Sequence, residues 1–301
     1  MKQFFSVFLL SVFSIGYAQV ATPKKDEVYT DIQQALQNIK PATQLNLRDK
    51  QLFSVNNEIE KLTELTFLNL MINNLEFWDA SIFTLKKLEI LNVKENALKS
   101  LPAEIGALNK LKRLDIAKNN IKYIAPEVGA LKELKYLHAS FNELVSLPAT
   151  IGGCKQLEMI DLQNNQLSRM PEQFSDLKKL VKLNIGYNQF HEIDQAILQL
   201  KNLQELNLEY NKLKELPQDI GELKKLKVLI LTSNKLQEVP ESLGNLGELE
   251  ILVLSKNGIK KLPQNLSKLN KLQTLILVDN PIDEVEQNRI KAALPNCKVY
   301  F

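Results

Sequence analysis

The strongest constraint on this chain is an asparagine that recurs every 23 residues. The recurrence holds at ten positions, which are Asn73, Asn96, Asn119, Asn142, Asn165, Asn188, Asn211, Asn234, Asn257 and Asn280. Each asparagine stands in the same frame, L-x-x-L-x-L-x-x-N-x-L, as residues 203–213 show. A fixed period of this length is typical of a solenoid, in which similar coils stack and each coil contacts only its neighbours. We therefore expect one repeat domain.

Apolar residues recur at seven positions of each repeat. After Asn211 they are Leu213, Leu216, Ile220, Leu223, Leu226, Leu229 and Leu231. The alternation at residues 229–231 has period two, which predicts a short strand. Residues 216–223 lack that period, and Pro217 fixes φ and removes an amide donor, so this segment cannot continue a sheet. We predict an α/β solenoid with a parallel β-sheet on its concave side and irregular or short helical segments on its convex side.

The recurring asparagine is interpreted as structural. A buried amide can donate to and accept from backbone groups of its own coil and of the adjacent coil, which would otherwise lack partners. The first coil has Leu45, Leu47 and Leu52 in phase but carries Lys50 in place of the asparagine. At a terminal coil a lysine can extend to solvent. We therefore predict a ladder of asparagine amides that begins at Asn73.

The first 18 residues have the pattern of a secretory signal peptide. Residues 4–15 are almost wholly apolar, follow Lys2 and lead to a small-x-small cleavage site at residues 16–18. About twelve apolar residues fall short of the roughly 20 that a membrane-spanning helix needs. We predict cleavage after residue 18, a secreted or periplasmic location, and no membrane insertion of the mature chain.

The ends of a solenoid expose its core and need caps. Residues 19–41 are predicted to form an N-terminal capping helix, because apolar residues there have helical spacing at Val28, Ile32, Leu36 and Ile39. Residues 42–283 then hold eleven repeats. Residues 284–301 are predicted to form the C-terminal cap, with a helical pattern over residues 284–293 followed by a final edge strand.

Charge and motif content exclude several classes of function. The formal net charge is +3, so the chain has no strong basic field to attract nucleic acid. The sequence holds no GxGxxG, Walker or Cys-x-x-Cys motif, and we predict no cofactor. Cys154 and Cys297 should lie roughly 25 Å apart in the stack, at ~4.8 Å per parallel strand, whereas a disulfide needs Cα atoms within about 7 Å. The two cysteines are therefore expected to stay unpaired.

In its repeat frame, the segment 42–283 resembles the bacterial secreted leucine-rich-repeat proteins. The convex segment Leu-Pro-x-x-Ile-Gly-x-Leu, seen at residues 216–223, is similar to that of the plant and animal Ras-associated leucine-rich-repeat proteins. The resemblance implies a protein-binding scaffold that uses its concave face. Two convex segments depart from the pattern: residues 74–85, where Asp79 replaces proline, and residues 193–194.

Outward strand positions can be aligned from coil to coil because the repeat keeps one phase. The residue between the two strand leucines is Asn, Asp or His in most coils and becomes apolar at Ile230, Val253 and Ile276. Aromatic side chains cluster on repeats 5 to 8, and such side chains are enriched in binding hot spots. The predicted ligand-binding residues are Asp115, Tyr136, His138, Phe141, Met159, Asp161, Tyr187 and Tyr210.

His138 could belong to a hydrolase triad or to a metal site, and we reject both interpretations. Ser140, Asp115 and Asp161 could complete a hydrolase triad with it, but the sequence lacks a nucleophile elbow and a glycine-rich oxyanion loop. A metal site would have one histidine and two carboxylates, because His191 lies two coils away. Between two carboxylates, His138 is expected to favour its charged form and to titrate above an unperturbed histidine.

The sequence therefore predicts an exported, monomeric scaffold that is not an enzyme and binds a protein on its concave face. The alternative is cell-surface adhesion or carbohydrate binding. An open row of asparagine and aspartate with flanking tyrosines also suits sugar hydroxyls and ring stacking. The residues do not identify the partner.

Overall fold

The computed structural model describes residues 26–301, so the predicted signal peptide lies outside the described residues. Within them, thirteen short strands form one parallel sheet, and β5 and β7 form a second, two-stranded sheet. In chain order the strands are β1 Val28–Tyr29, β2 Gln44–Asn46, β3 Phe67–Asn69, β4 Ile90–Asn92, β5 Ser100–Leu101, β6 Arg113–Asp115, β7 Tyr123–Ile124, β8 Tyr136–His138, β9 Met159–Asp161, β10 Lys182–Asn184, β11 Glu205–Asn207, β12 Val228–Ile230, β13 Ile251–Val253, β14 Thr274–Ile276 and β15 Lys298–Tyr300. This architecture confirms the predicted fold class.

Neighbouring strands of the main sheet pair in register, one repeat apart. Leu183 of β10 lies beside Leu206 of β11, and Leu206 lies beside Leu229 of β12. These leucines point into the core, so the residues on either side of each one face the concave surface. The constant register stacks equivalent side chains into rows that run across the whole sheet.

Each coil returns along the convex side through a short helix. The α-helices are α1 Ile32–Gln37, α2 Gln195–Leu198 and α3 Glu284–Ala293. The 3-10 helices are Asn57–Lys61, Ala80–Thr84, Ala103–Ala107, Pro126–Ala130, Ala149–Gly153, Glu172–Asp176, Gln218–Glu222, Glu241–Asn245 and Leu266–Lys268. Pro217 shows how these helices start, because its extended backbone, with φ −68° and ψ 152°, leads directly into Gln218. None of the helices within residues 26–301 combines the length and the apolar composition that crossing a bilayer demands.

The hydrophobic core lies between the sheet and the convex helices. Leu206, Leu208 and Leu213 are fully buried, as are the larger Phe174 and Phe190. Burying one such side chain contributes about 1.5 to 3 kcal/mol, and the repeat supplies a new set in every coil. The coils therefore stabilise one another through a continuous core that no single coil could bury alone.

Cys154 occupies a leucine position in this core. Its side chain is fully buried, and its Sγ donates to the carbonyl oxygen of Val128 at 3.1 Å. Burial raises the pKa of the thiol to about 12. Cys154 and Cys297 are both free cysteines, which confirms the prediction that they stay unpaired.

The asparagine ladder forms as predicted. The Nδ2 of Asn165 donates to the carbonyl oxygens of Ala139 at 3.0 Å and Leu162 at 2.9 Å. Its Oδ1 accepts the backbone N–H of Leu144 at 3.0 Å. Each amide thus joins its own coil to the preceding one. At the first coil, Lys50 is exposed and its backbone N–H donates to the Oδ1 of Asn73 at 3.0 Å.

The residue immediately before each ladder position adopts a left-handed backbone, with φ between 50 and 60°. These residues are Asp49, Ile72, Glu95, Lys118, Phe141, Asn164, Tyr187, Tyr210, Ser233, Lys256 and Asp279. Glycine would tolerate this conformation without strain, yet no glycine occupies it. Because the conformation recurs in every coil, it belongs to the architecture, where it turns the chain from the sheet toward the core.

The two atypical convex segments are ordered by carboxylates. Asp79 accepts the backbone N–H of Val55 at 2.7 Å, and Asp194 accepts that of Met170 at 2.8 Å. Both aspartates stand where other coils have proline, and each reaches back to the coil before it. Glu286 does the same at the C-terminal end, where it accepts the N–H of Leu262 at 2.9 Å. A charged acceptor makes these inter-coil bonds stronger than neutral ones.

The N-terminal cap differs from the predicted helix. Val28 and Tyr29, which the apolar spacing placed on a helix, form β1 and pair with Gln44 and Leu45. The helix α1 is shorter and starts at Ile32. The physical reason is the open edge of the first coil, whose backbone groups gain partners from an added strand. At the other end, α3 is followed by β15, which pairs with β14.

Candidate binding surface

Two rows of concave residues define the candidate surface. The inner row is the residue between the two strand leucines, and the turn row is the residue just before each ladder asparagine. On repeats 4 to 8 the inner row consists of Asp115, His138, Asp161, Asn184 and Asn207. On repeats 5 to 8 the turn row consists of Phe141, Asn164, Tyr187 and Tyr210.

The inner row is largely closed to solvent. His138 is 5% exposed, Asp161 2% and Asn207 3%. The acidic and amide side chains accept the backbone N–H two residues later. Asp115 accepts from Ala117 at 3.1 Å, and Asn207 accepts from Glu209 at 2.9 Å. The row predicted to face a ligand thus acts mainly as a second structural ladder beneath the surface.

The predicted protonation behaviour of His138 is wrong. Asp115 and Asp161 do lie on the flanking strands, as expected. The pKa of His138 is nevertheless lowered to about 4. Burial is the largest cause; Asp161 opposes it, and the nearby Arg113 and Lys94 add smaller lowering effects. The cost of desolvating an imidazolium outweighs the attraction of its neighbouring carboxylate. His138 is therefore neutral at pH 7.

His138 should make the fold sensitive to acid. Its pKa is about 4 in the folded protein against an ordinary value of 6.5, so the unfolded chain binds the extra proton between these values. His138 therefore does not reduce the free energy of unfolding above pH 6.5. Its protonation in the unfolded chain lowers that free energy as the pH drops from 6.5 toward 4. His138→Asn places there the residue that Asn92 and Asn184 supply two coils away on either side. In this variant the loss of stability between pH 8 and pH 5 should be about 2 kcal/mol smaller. Denaturant melts of both proteins at the two pH values measure this difference, and parallel pH profiles would contradict it.

The turn row carries the exposed aromatic groups. Tyr187 and Tyr210 stack with ring centroids 4.2 Å apart and an interplanar angle of 15°. Each is 39% exposed, and Phe141 is 45% exposed. The left-handed backbone holds all three side chains at the rim where the chain leaves the sheet. Stacking fixes the tyrosine rings before any ligand arrives.

Tyr136 and Met159 lie side by side on β8 and β9 and are half-buried. The Arg113 guanidinium lies over the Tyr136 ring at 5.0 Å from its centroid. The Tyr136 hydroxyl donates to the Oε2 of Glu158 at 3.2 Å. Arg113 and Glu158 thus hold the Tyr136 side chain from two sides. Tyr136 extends the group of aromatic residues from the turn row onto the sheet.

The side chains considered for hydrolysis lie beneath this surface. Ser140 and His138 are both buried, so a substrate has no access to the pair that the hydrolase interpretation required. In the part of the chain that the structure describes, no three His, Cys, Asp or Glu side chains are grouped to hold a metal ion. The accessible groups are aromatic rings, amides, carboxylates and the ammonium groups of lysines.

Sequence reasoning missed two features of the concave face. The first is Glu209, a partly buried carboxylate beside the two tyrosines; the nearby Gly186 was the available signal, because it leaves space on the sheet. The second is how the side chains pack at the apolar end of the inner row. There the side chains pack into a separate hydrophobic cluster, formed by Val228, Ile230, Val253 and Ile276 with Ile251 and Val278 at its margin.

Comparison with known families agrees with this geometry. The family described as "Leucine rich repeat" matches residues 63–121, 86–144, 109–167 and 132–190. A second family, described as "Leucine-rich repeat region", matches residues 188–291. Among curated proteins, none matches the chain.

Solved structures from a bacterium and from a plant show the same fold. An internalin (inlF) from Listeria monocytogenes is 20% identical with a TM-score of 0.73, and the match covers 82% of this chain and 70% of that one. The functional domain of InlJ from Listeria monocytogenes is 25% identical with a TM-score of 0.71, over 86% of this chain. The plant peptide hormone receptor RGFR1, solved in complex with RGF2, is 26% identical with a TM-score of 0.61, over 75% of this chain.

The chain spans 52% of the InlJ chain and 42% of the RGFR1 chain that it matches. The likeness to these structures is one of fold. The two family matches together run without a gap from residue 63 to residue 291. The chain therefore belongs to the leucine-rich-repeat proteins.

Proposed function

We propose that this protein is an exported, non-catalytic scaffold that binds a protein ligand on the concave face of repeats 5 to 8. The stacked pair of Tyr187 and Tyr210 is the observation that carries the proposal. Both rings are exposed and already ordered. Aromatic side chains bury large areas on binding, and those held rigid beforehand lose little entropy. Such residues dominate the energy of protein interfaces.

The neighbouring side chains extend this anchor into a surface. Phe141 stands on the same row two coils away, and Tyr136 and Met159 continue onto the sheet. At ~4.8 Å per strand, repeats 5 to 8 span about 15 Å. An extended ligand segment of about five residues covers that distance.

Two further findings support the proposal. The receptor RGFR1 was solved in complex with RGF2, so a related solenoid binds a peptide hormone. Export is supported by the signal-peptide pattern of residues 1–18. The carbohydrate alternative relied on an open row of asparagine and aspartate. Asp161, Asn184 and Asn207 are buried, so that row offers few groups to sugar hydroxyls.

Truncating the anchor should weaken binding without unfolding the protein. Tyr187→Ala is expected to weaken binding by about 2 kcal/mol or more, roughly 30-fold, because the substitution removes an aromatic ring from the centre of the proposed interface. The partner can be captured by crosslinking and mass spectrometry in the native envelope fraction, and its affinity measured by titration calorimetry.

Tyr123→Ala is the matched control, because Tyr123 is 55% exposed on β7, outside the concave sheet. Its affinity for the same partner should equal that of the wild type. If Tyr123→Ala weakens binding and Tyr187→Ala does not, the binding surface lies off the concave face and the proposal is wrong.

A further inference from the structure

Most glutamate side chains along the concave sheet are paired with a lysine of an adjacent coil. The pairs are Glu89 with Lys112 at 3.1 Å, Glu95 with Lys118 at 2.9 Å, Glu158 with Lys135 at 3.1 Å, Glu205 with Lys182 at 2.6 Å and Glu250 with Lys227 at 3.4 Å. These pairs neutralise the surface along most of its length. A glutamate that lacks such a partner therefore stands out.

Glu209 is a carboxylate of this kind. Its Oε1 accepts a hydrogen bond from the Nδ2 of Asn207 at 3.1 Å, and no cation of the described residues contributes to its environment. Burial raises its pKa, and the hydrogen bond from Asn207 only partly offsets that effect. A desolvated carboxylate is stabilised by any cation that reaches it.

Gly186 determines where Glu209 lies. A Cβ at Gly186 would be 3.0 Å from the Cγ of Glu209, so the glutamate side chain leans over the preceding coil into the space that glycine leaves. This places the carboxylate beside Tyr187, whose pKa it helps to raise after the larger effect of burial. The negative charge and the tyrosine pair thus form one site.

The tyrosine pair also favours a cation. Aromatic faces carry negative potential, and a lysine or arginine within about 6 Å of a ring centroid is attracted to them. Tyr187 and Tyr210 present one such surface, with 39% of each side chain exposed. A guanidinium or ammonium group can contact the carboxylate and a ring together, whereas an anionic group would be repelled.

We infer that Glu209, Tyr187 and Tyr210 receive a lysine or arginine side chain of the protein ligand. The inference rests on the proposed binding role of the concave face and names the chemistry that this part of the face selects. A single carboxylate offers too few oxygen ligands for Ca²⁺ or Mg²⁺, so a side-chain cation is the fitting occupant.

The inference can be tested with a random library of 12-residue peptides displayed on phage. The library is selected in parallel on the wild type, Glu209→Gln and Glu215→Gln. Glu215 is exposed and lies outside the concave sheet, so it is a control with the same substitution. Peptides from the wild type and from Glu215→Gln should be enriched in lysine or arginine at one position, and peptides from Glu209→Gln should not be.

A selected peptide then gives the energetic test by fluorescence anisotropy. Replacing its enriched basic residue with glutamine should weaken binding about tenfold, and Glu209→Gln should weaken the unmodified peptide by about the same factor. The two changes combined should weaken binding little more than either change alone, because both remove the same contact.

The outcomes separate this inference from the proposed function. If selected peptides depend on Tyr187 but show no basic residue, or bind Glu209→Gln as well as the wild type, the cation site is wrong and the concave binding face stands. If no selected peptide loses affinity in Tyr187→Ala, both the binding face and the cation site are wrong.

Discussion

Replacing Asn165 with alanine should lower the free energy of unfolding by about 3 kcal/mol. The substitution leaves the backbone N–H of Leu144 without its partner. It also removes one of the two amide donors from the carbonyl oxygens of Ala139 and Leu162, which keep the donors of Asn142 and Asn188. Asn165 is only 7% exposed, so water cannot replace the amide without rearrangement. A buried polar group left without a partner costs about 1 to 3 kcal/mol, and the cavity left by the removed amide adds to that cost.

Asn120→Ala is the control for this prediction, because Asn120 stands next to a ladder position but is exposed. It should shift the denaturant midpoint little, since surface substitutions usually change stability by less than about 0.5 kcal/mol. Amide hydrogen exchange gives a local readout at Leu144, whose N–H should lose protection only in Asn165→Ala. Equal midpoints for the two variants would refute the structural role of the ladder.

Gly152→Ala should be about as damaging, again by about 3 kcal/mol, for a different physical reason. A Cβ at Gly152 would lie 2.2 Å from the backbone oxygen of Gln173 in the next coil. Backbone cannot move aside as a flexible side chain can, so the two coils must separate and loosen the core between them. This separation would weaken every contact between the two coils.

Gly247→Ala is a matched control, because no atom lies within 4 Å of the Cβ it would add. Here alanine should be neutral or slightly stabilising, by up to about 1 kcal/mol, since it restricts the unfolded chain. Thermal and denaturant melts of the two variants measure the contrast. A Gly152→Ala protein as stable as Gly247→Ala would mean that adjacent coils are packed less closely than the structure shows.

The fold was largely predictable because its determinants are periodic. An asparagine every 23 residues and leucines in constant phase specify the coil, the parallel register and the inward face. The amide ladder followed from the need to satisfy buried backbone groups, and Asn165 forms the predicted bonds. Departures from the period were harder to interpret. Nothing local in the sequence indicates that Asp79 reaches back 24 residues to Val55.

The candidate site was predicted only in part. Period-two alternation correctly assigned His138 to the concave side of its strand, but facing a surface does not ensure exposure. Burial there depends on the side chains of three adjacent strands, which are far apart in sequence. The pKa of His138 followed the burial instead of the neighbouring charges. The position of Glu209 depends similarly on the missing side chain of Gly186 one coil earlier.

The asparagine ladder also gives the solenoid a direction. The backbone groups that Asn165 satisfies outside its own coil, on Leu144 and Ala139, all belong to the preceding coil. Each coil is therefore completed by its successor, whose amide arrives 21 residues after the N–H it accepts. A chain made from the N-terminus onward always carries one unfinished coil at its growing end. The ladder thus gives the stack an order of dependence, in which every coil needs the amide of the coil after it.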